Sequence, residues 1–416
     1  MVGEPCSPTR RGGTVTVEDE VVRLEGEFFQ DPYRLYAEVR RGGPARPVLL
    51  SQGLRAWLVT DYADVKALLA DPRLSKDFSG VEHLLDRHRE PGRKRAEFGV
   101  ELSAHMLNSD PPDHSRLRKL VNKAFTVRGV GHLRPRIEKI TADLLDALDG
   151  QDEADLVPSF AFPLPMTVIC ELLGVPNDDR DSFHEWTTVL TSSGAEPEEI
   201  TAVGVAAAGY VGGLIAAKRV EPGNDLLTAL IEASEDGDRL SEHELISMVF
   251  LLMLAGHETT VNLIGNAVLT LLRHPDQLAA LRADPTLIPA AVEELLRYES
   301  PVATGTLRYT TVPIQIGAVE IPAQEFVLVG LGCANRDPAA FPTPDRFDIH
   351  RDLNSHLAFG HGIHYCVGAP LARLEGEIAL AALLTRFPGI ALATDNLRWR
   401  ESTLIRGLTS LPVRLR

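Results

Sequence analysis

The chain has 416 residues, 44% hydrophobic and 24% charged, the balance of a globular protein rather than a collagen-like, coiled-coil or disordered one. That length can bury a core large enough to enclose a sizeable ligand. With 42 Lys and Arg against 58 Asp and Glu, the net charge of −16 argues against nucleic acid or anionic membrane as the main partner. Residues 1–20 carry no apolar stretch of the secretory type. The longest apolar runs, such as Met248–Ala255, fall short of a membrane span, so no membrane contact and a cytoplasmic location are expected.

In chain order, residues 1–25 read as a mobile tail. Pro32–Arg40 has a helical pattern, Val48–Leu50 and Ala56–Thr60 read as a β-hairpin, and Asp61–Leu69 as a short helix. Residues 76–107 are charged and irregular, which inside a compact protein marks a lid or binding loop. From Asp110 to about Arg297 almost everything is helical. Asp110-Pro111-Pro112-Asp113 predicts a helix start with Asp110 at the N-cap. Ser241-Glu242-His243-Glu244 is a capping box, opening a helix that runs to about Arg273 and spans about 45 Å. After Pro301 the pattern changes, and Leu307–Thr310, Val312–Ile316 and Phe326–Gly330 read as strands. Residues 335–365 are loop-rich, another helix runs from near Cys366 through Phe387, and a terminal strand pair is expected over about Ser402–Arg414. The long helix crosses any plausible split, so residues 26–416 are expected to form one domain, mainly α with small β-sheets.

Four cysteines, Cys6, Cys170, Cys333 and Cys366, show no zinc-type spacing, and disulfides are not expected. Cys366 differs from the others. It lies in a loop with Gly360, Gly362 and Gly368 and just before a helix start, where dipole and free N–H groups favour thiolate. A Cys–His nucleophile, an axial thiolate to haem iron and a buried structural thiol all fit these local residues.

The wider pattern separates them. Phe359-x-x-Gly362-x-His364-x-Cys366-x-Gly368 resembles the haem loop of the cytochrome P-450 monooxygenases, as do Ala255-Gly256-His257-Glu258-Thr259-Thr260 and Glu294-Leu295-Leu296-Arg297, in the same order. The resemblance runs from about residue 28 to the C-terminus. It is strongest to soluble bacterial members that oxidise macrolides and other secondary metabolites.

That resemblance implies a cytochrome P-450 fold, with haem b (iron protoporphyrin IX) between the long central helix and the cysteine-loop helix. Cys366 would be the axial ligand, with Phe359 and Gly368 on the thiolate side. His114, Arg118, Arg308 and His364 would meet the propionates. Glu294, Arg297 and Arg346 would form a buried network supporting the loop. Ala255 and Gly256 would let the ring and dioxygen approach the helix, and Thr259 and Glu258 would be catalytic, relaying protons. Residues 76–107, Leu251, Leu254, Val302, Thr304, Leu404 and Ile405 would line the substrate pocket. Plainer readings exist for most of these residues: an ion pair for Glu258, close helix packing for Gly256, a satisfied core hydroxyl for Thr259 and core packing for Phe359.

The implied reaction puts one atom of dioxygen into a bulky hydrophobic molecule, by hydroxylation or epoxidation of a macrolide or polyketide. A fatty acid, terpenoid or sterol is the alternative substrate, and a non-catalytic haem sensor the alternative class. The chain has no dinucleotide or flavin fingerprint, so electrons from NAD(P)H would arrive through a ferredoxin reductase and a ferredoxin. The ferredoxin would dock on Arg116, Arg118, Lys119, Lys123, Arg351 and Arg373 of a monomer.

Overall fold

The computed structural model describes residues 21–94, 100–122, 125–176, 180–233, 240–352 and 355–416. Cys6 and Lys123 lie outside them. The helical bulk is organised around one element, the helix Glu242–Arg273. Its capping box forms as the sequence predicts: Glu244 N–H donates to Ser241 Oγ at 3.2 Å and Ser241 N–H to Glu244 Oε2 at 2.8 Å. Thirty-two residues at 1.5 Å each give about 48 Å. Apolar residues surround this helix on nearly every side, so it is buried by Pro163–Leu173, Pro197–Val220, Ile288–Tyr298 and Ala369–Arg386 rather than lying on the surface.

The strands form a six-stranded sheet of order β1-β2-β3-β9-β6-β4, namely β1 (Val22–Leu24), β2 (Ala45–Leu50), β3 (Arg55–Val59), β4 (Leu74–Ser75), β6 (Arg308–Thr310) and β9 (Phe326–Val329). The expected hairpin is the β2–β3 pair, with Pro47 opposite Trp57. A small sheet of order β10-β11-β5 joins Ala391–Leu392, Pro412–Arg414 and Glu153–Asp155, and a two-stranded ribbon joins β7 (Ile314–Ile316) to β8 (Val319–Ile321).

Three expectations are corrected. Within residues 1–25, expected as a tail, Val22–Leu24 is instead strand β1, which lies parallel to β2 with Leu24 buried; residues 1–20 lie outside the described residues. Asp110 does not cap a helix; the helix begins at Asp113, and the Asp110 carboxylate instead accepts from Ser75 Oγ at 2.5 Å and Lys76 N–H at 3.3 Å. The terminal strand pair is a single strand, β11, and its partners are distant in sequence; residues 402–408 make only isolated bridges. The expectation of no membrane span is not among these corrections: two helices are long and apolar enough to cross a membrane by length and composition, as core helices also are. Glu242–Arg273 uses that apolarity in the core, where 78% of its apolar window is buried, whereas Pro197–Val220 is rich in Ala and Gly and only 22% of its window is covered.

Candidate functional site

Glu294 and Arg297 sit one turn apart on Ile288–Tyr298 and are both fully buried. Arg297 grips the carboxylate with two prongs, Nε–Oε2 2.7 Å and Nη2–Oε1 2.9 Å. Its remaining N–H groups donate to the carbonyls of Asn335 (2.9 Å), Pro344 (2.8 Å) and Arg346 (3.3 Å). A buried pair is tolerable only when its other polar atoms are also satisfied, and here they are. Arg346 contributes its backbone alone; its guanidinium is on the surface near Asp348. The side chain expected from Arg346 comes from Arg351, whose Nε lies 3.4 Å from Glu294 Oε1. The motif spacing located the partner loop but not which arginine turns inward.

This network reaches the cysteine loop in two steps. The Asn335 side chain accepts from Leu357 N–H at 2.7 Å, and Gly360 N–H donates to Leu357 at 2.8 Å. Cys366 N–H then donates to Phe359 carbonyl at 2.9 Å, closing the loop. Gly362 is obligatory, with φ at 74°; a Cβ there would lie 2.9 Å from Leu69 carbonyl. A second clamp holds Phe359, whose ring carries the Arg373 guanidinium 4.4 Å from its centroid. Arg373 is fixed by two bonds to Glu293 (2.6 and 2.9 Å), which His356 also approaches at 3.0 Å.

Cys170 and Cys333 are buried, whereas Cys366 is accessible. Burial by the surrounding loop pushes the Cys366 thiol up, while the N–H groups of Gly368 and Ala369 and the Arg118 charge pull it down. Those two N–H groups stand at the start of Ala369–Arg386, the dipole position the sequence suggested.

Beside this loop is a concentration of bases. His114 is buried with both ring nitrogens unpartnered, and Arg308 Nε is likewise orphaned. The rings of His114 and His364 meet edge to face at 4.4 Å. Arg308 Nη1 donates to Leu69 carbonyl at 3.2 Å, and Arg118 donates to Tyr365 carbonyl. Lys76, which sequence reasoning missed inside the irregular 76–107 segment, is buried here with its ammonium on Thr306 Oγ1. Burial, then the charges of Lys76, His114, Arg308 and Arg118, hold His364 down to about 2. Orphaned buried donors on several bases call for an anion, and the haem carboxylates match that donor set.

Within the long helix, Leu254, Ala255, Gly256 and Thr259 are only partly covered, although the residues around them are buried. Thr259 Oγ1 donates to Ala255 carbonyl at 3.0 Å, the expected bond one turn back. At Gly256 the packing reading gains support: a Cβ there would lie 2.7 Å from Ile169 Cδ1, so a larger residue would force that side chain to move. Glu258 does not reach toward solvent either. Arg400 pairs with it, Asn262 Nδ2 donates to it at 3.3 Å, and Arg400 also donates to Thr191 Oγ1 at 3.0 Å.

Among the six expected pocket residues, Val302, Thr304, Leu404 and Ile405 come together: Val302 bridges Ile405, and Ala303 N–H donates to Leu404 carbonyl at 2.8 Å. Thr304 is buried, its hydroxyl on Thr403 carbonyl, and Leu251 is in the core. None of the six lines the large cleft of about 1630 Å³. Its walls include residues of 77–94 and 103–110, from the stretch expected to be a binding loop, and of 190–201, which the sequence did not flag. The basic docking patch also changes. Arg116 pairs with Glu244, Arg351 with Glu294 and Arg373 with Glu293, leaving Lys119 exposed.

An accessible thiol at a helix start, braced from behind and flanked by a carboxylate-binding cradle, defines a haem-thiolate protein. The comparisons agree. The family model Cytochrome P450 matches residues 216–396. Cytochrome P450 107B1 of Saccharopolyspora erythraea is 57% identical, over 95% of this chain and 98% of that protein. Cytochrome P450 monooxygenase PikC of Streptomyces venezuelae is 49% identical, over 94% and 93%. The solved structure of the tirandamycin C-bound P450 monooxygenase TamI superposes with a TM-score of 0.89, at 50% identity and over 95% and 100% of the two chains. The chain belongs to the cytochrome P450 family: it is a monooxygenase that uses haem, with Cys366 as the thiolate ligand.

Proposed function

We propose that the chain, as one domain and one monomer, hydroxylates or epoxidises a macrolide or polyketide-type secondary metabolite. The observation that carries this reading is the cleft of about 1630 Å³ between residues of 77–94 and 103–110 on one side and 190–201 on the other, which suits a bulky ligand. Relatives support it: Polyketide biosynthesis cytochrome P450 PksS and Mycinamicin IV hydroxylase/epoxidase are named in that chemistry. Cys170 and Cys333 as buried thiols outside any disulfide suit the reducing cytoplasm. Ferredoxin and its reductase are the electron donors, with exposed Lys119 in the docking face.

When bound, the haem activates dioxygen with two electrons, and the Cys366 thiolate raises its electron density. The chain's own residues do the rest. His114, Arg118, Arg308 and His364 orient the ring by its propionates. Phe359 and Gly368 would shield the sulfur, and Ala255 would form part of the wall of the haem pocket. The Thr259 hydroxyl, anchored on Ala255 carbonyl, both accepts and donates a proton. Glu258, held one residue away by Arg400, is the acid that resupplies it.

The test is a titration of the holoenzyme with a macrolide aglycone, a C14 fatty acid and a sterol. The expected result is a substrate-induced Soret shift at the lowest concentration for the macrolide, and a product heavier by one oxygen. Preferred binding and turnover of the fatty acid or sterol would overturn the substrate assignment.

A further inference from the structure

Lys76 is among the largest fully buried side chains of the molecule, at 1% exposure. A buried ammonium is costly unless an anion accompanies it. Its near environment does the opposite. Burial and then Arg308 hold Lys76 well below the ordinary lysine range, and Asp110 is the one acid acting against them. Asp110 is already engaged by Ser75 Oγ and by the backbone N–H of Lys76 itself. The ammonium is held in place by Thr306 Oγ1, two residues before Arg308. It therefore points into the same cluster as Arg308 Nε and the His114 ring, whose polar atoms have no partner.

Fixed charges here do not balance. Lys76, Arg118 and Arg308 bring three positive charges against the single negative charge of Asp110. Two carboxylates would neutralise the excess, and a haem carries two. Arg118 and Arg308 alone would leave the cradle one charge short once Asp110 is counted.

We propose that Lys76 is a cofactor-binding residue, the third fixed cation of the cradle that takes the two haem carboxylates. The proposal rests on the assignment of that cradle to the propionates. It predicts that Lys76 slows haem loss and, by holding positive charge near the ring edge, favours the reduced iron. A carboxylate on a substrate has the same chemistry, and the experiment separates the two sources.

The holoenzyme and its Lys76→Met and Thr306→Val variants are compared by transfer of haem to excess apomyoglobin, by reduction potential, and by affinity for a C14 fatty acid and its methyl ester. Lys76→Met should release haem about 10–100-fold faster, the loss of one charge-assisted bond, and should have a lower potential. Thr306→Val, which keeps the charge but frees the ammonium, should show a smaller change in the same direction. The ratio of acid to ester affinity should not move. Unchanged haem loss and potential in both variants would overturn the proposal. So would unchanged haem loss with an altered acid-to-ester ratio, which would give Lys76 to a substrate carboxylate. If the wild type itself shows no thiolate-type carbon monoxide spectrum, the haem reading fails rather than the lysine.

Discussion

The support behind the cysteine loop and the mouth of the cleft use the same chemistry to opposite ends. Behind the loop, Glu294 and Arg297 are sealed from water, and every strong donor of Arg297 has a partner. At the mouth, Lys94 and Glu198 join the two walls through an ion pair whose side chains are 76% and 64% exposed. Charges in water are screened and cost little to separate. Charges in the core hold their geometry or the fold fails. The protein thus holds the loop of its metal ligand rigidly and joins the mouth of its cleft, the proposed substrate entrance, only by screened charges.

The comparison breaks outright if the loop does not hold the ligand. Cys366→Ser should abolish the red-shifted band of the reduced, carbon monoxide-treated protein; an unchanged band would move the thiolate elsewhere. Next in size, Arg297→Ala should cost about 3–5 kcal/mol, because it strands a buried carboxylate, and should lower haem content. Lys94→Ala at the mouth should leave the unfolding midpoint where it is. Denaturant unfolding of both variants decides whether burial separates the two regions.

A pH series sharpens the same contrast. Glu375, on the helix that follows Cys366, is buried with Oε2 unpartnered, and burial alone pushes its carboxyl up to about 8. Its folded pKa lies above the unfolded value of about 4.3. The folded state therefore keeps a proton that the unfolded chain releases, so stability falls as pH rises from about 4.3 to about 8. Glu375→Gln should remove that slope, with a gain on the order of 5 kcal/mol at pH 8 and none at pH 4. Equal unfolding midpoints for the two proteins at both pH values would show that Glu375 is solvated.

Thr259→Ala should change stability least, within about 1 kcal/mol, since its hydroxyl bonds only to a carbonyl of its own helix. Its effect belongs in the coupling. Hydrogen peroxide released per NAD(P)H should rise at the expense of product, whereas Glu258→Gln should slow turnover more than it leaks. Wild-type coupling and rate in both would reduce Glu258 to an ion-pair partner of Arg400.

Local signals survived folding well. The capping box, the Cys366 loop and the one-turn spacing of Glu294 and Arg297 each depend on residues close in the chain, so the pattern and the geometry coincide. The departures share a different cause. Arg346 and Arg351 are five residues apart in one loop, and which of them meets Glu294 depends on the turn between them. At Gly256 the sequence could not show that Ile169, on another helix, packs against it. Glu258 looked free to reach solvent until Arg400, 142 residues later, closed on it.

What the chain determined by itself is therefore its long helix, the one-turn pairing of Glu294 with Arg297 and the tight turns around Cys366, because backbone propensity, capping and short spacing act within a turn or two; that Cys366 is the haem ligand follows from the resemblance of its ordered motifs to the family. Only the tertiary structure decided which charges are buried and with whom. Lys76 reads from sequence as one more surface lysine in a charged loop. It becomes part of the cradle because strands β4 and β6, more than 200 residues apart, pair and bring Thr306 and Arg308 against it. Burial and charge balance are properties of that packed neighbourhood, which no stretch of sequence contains.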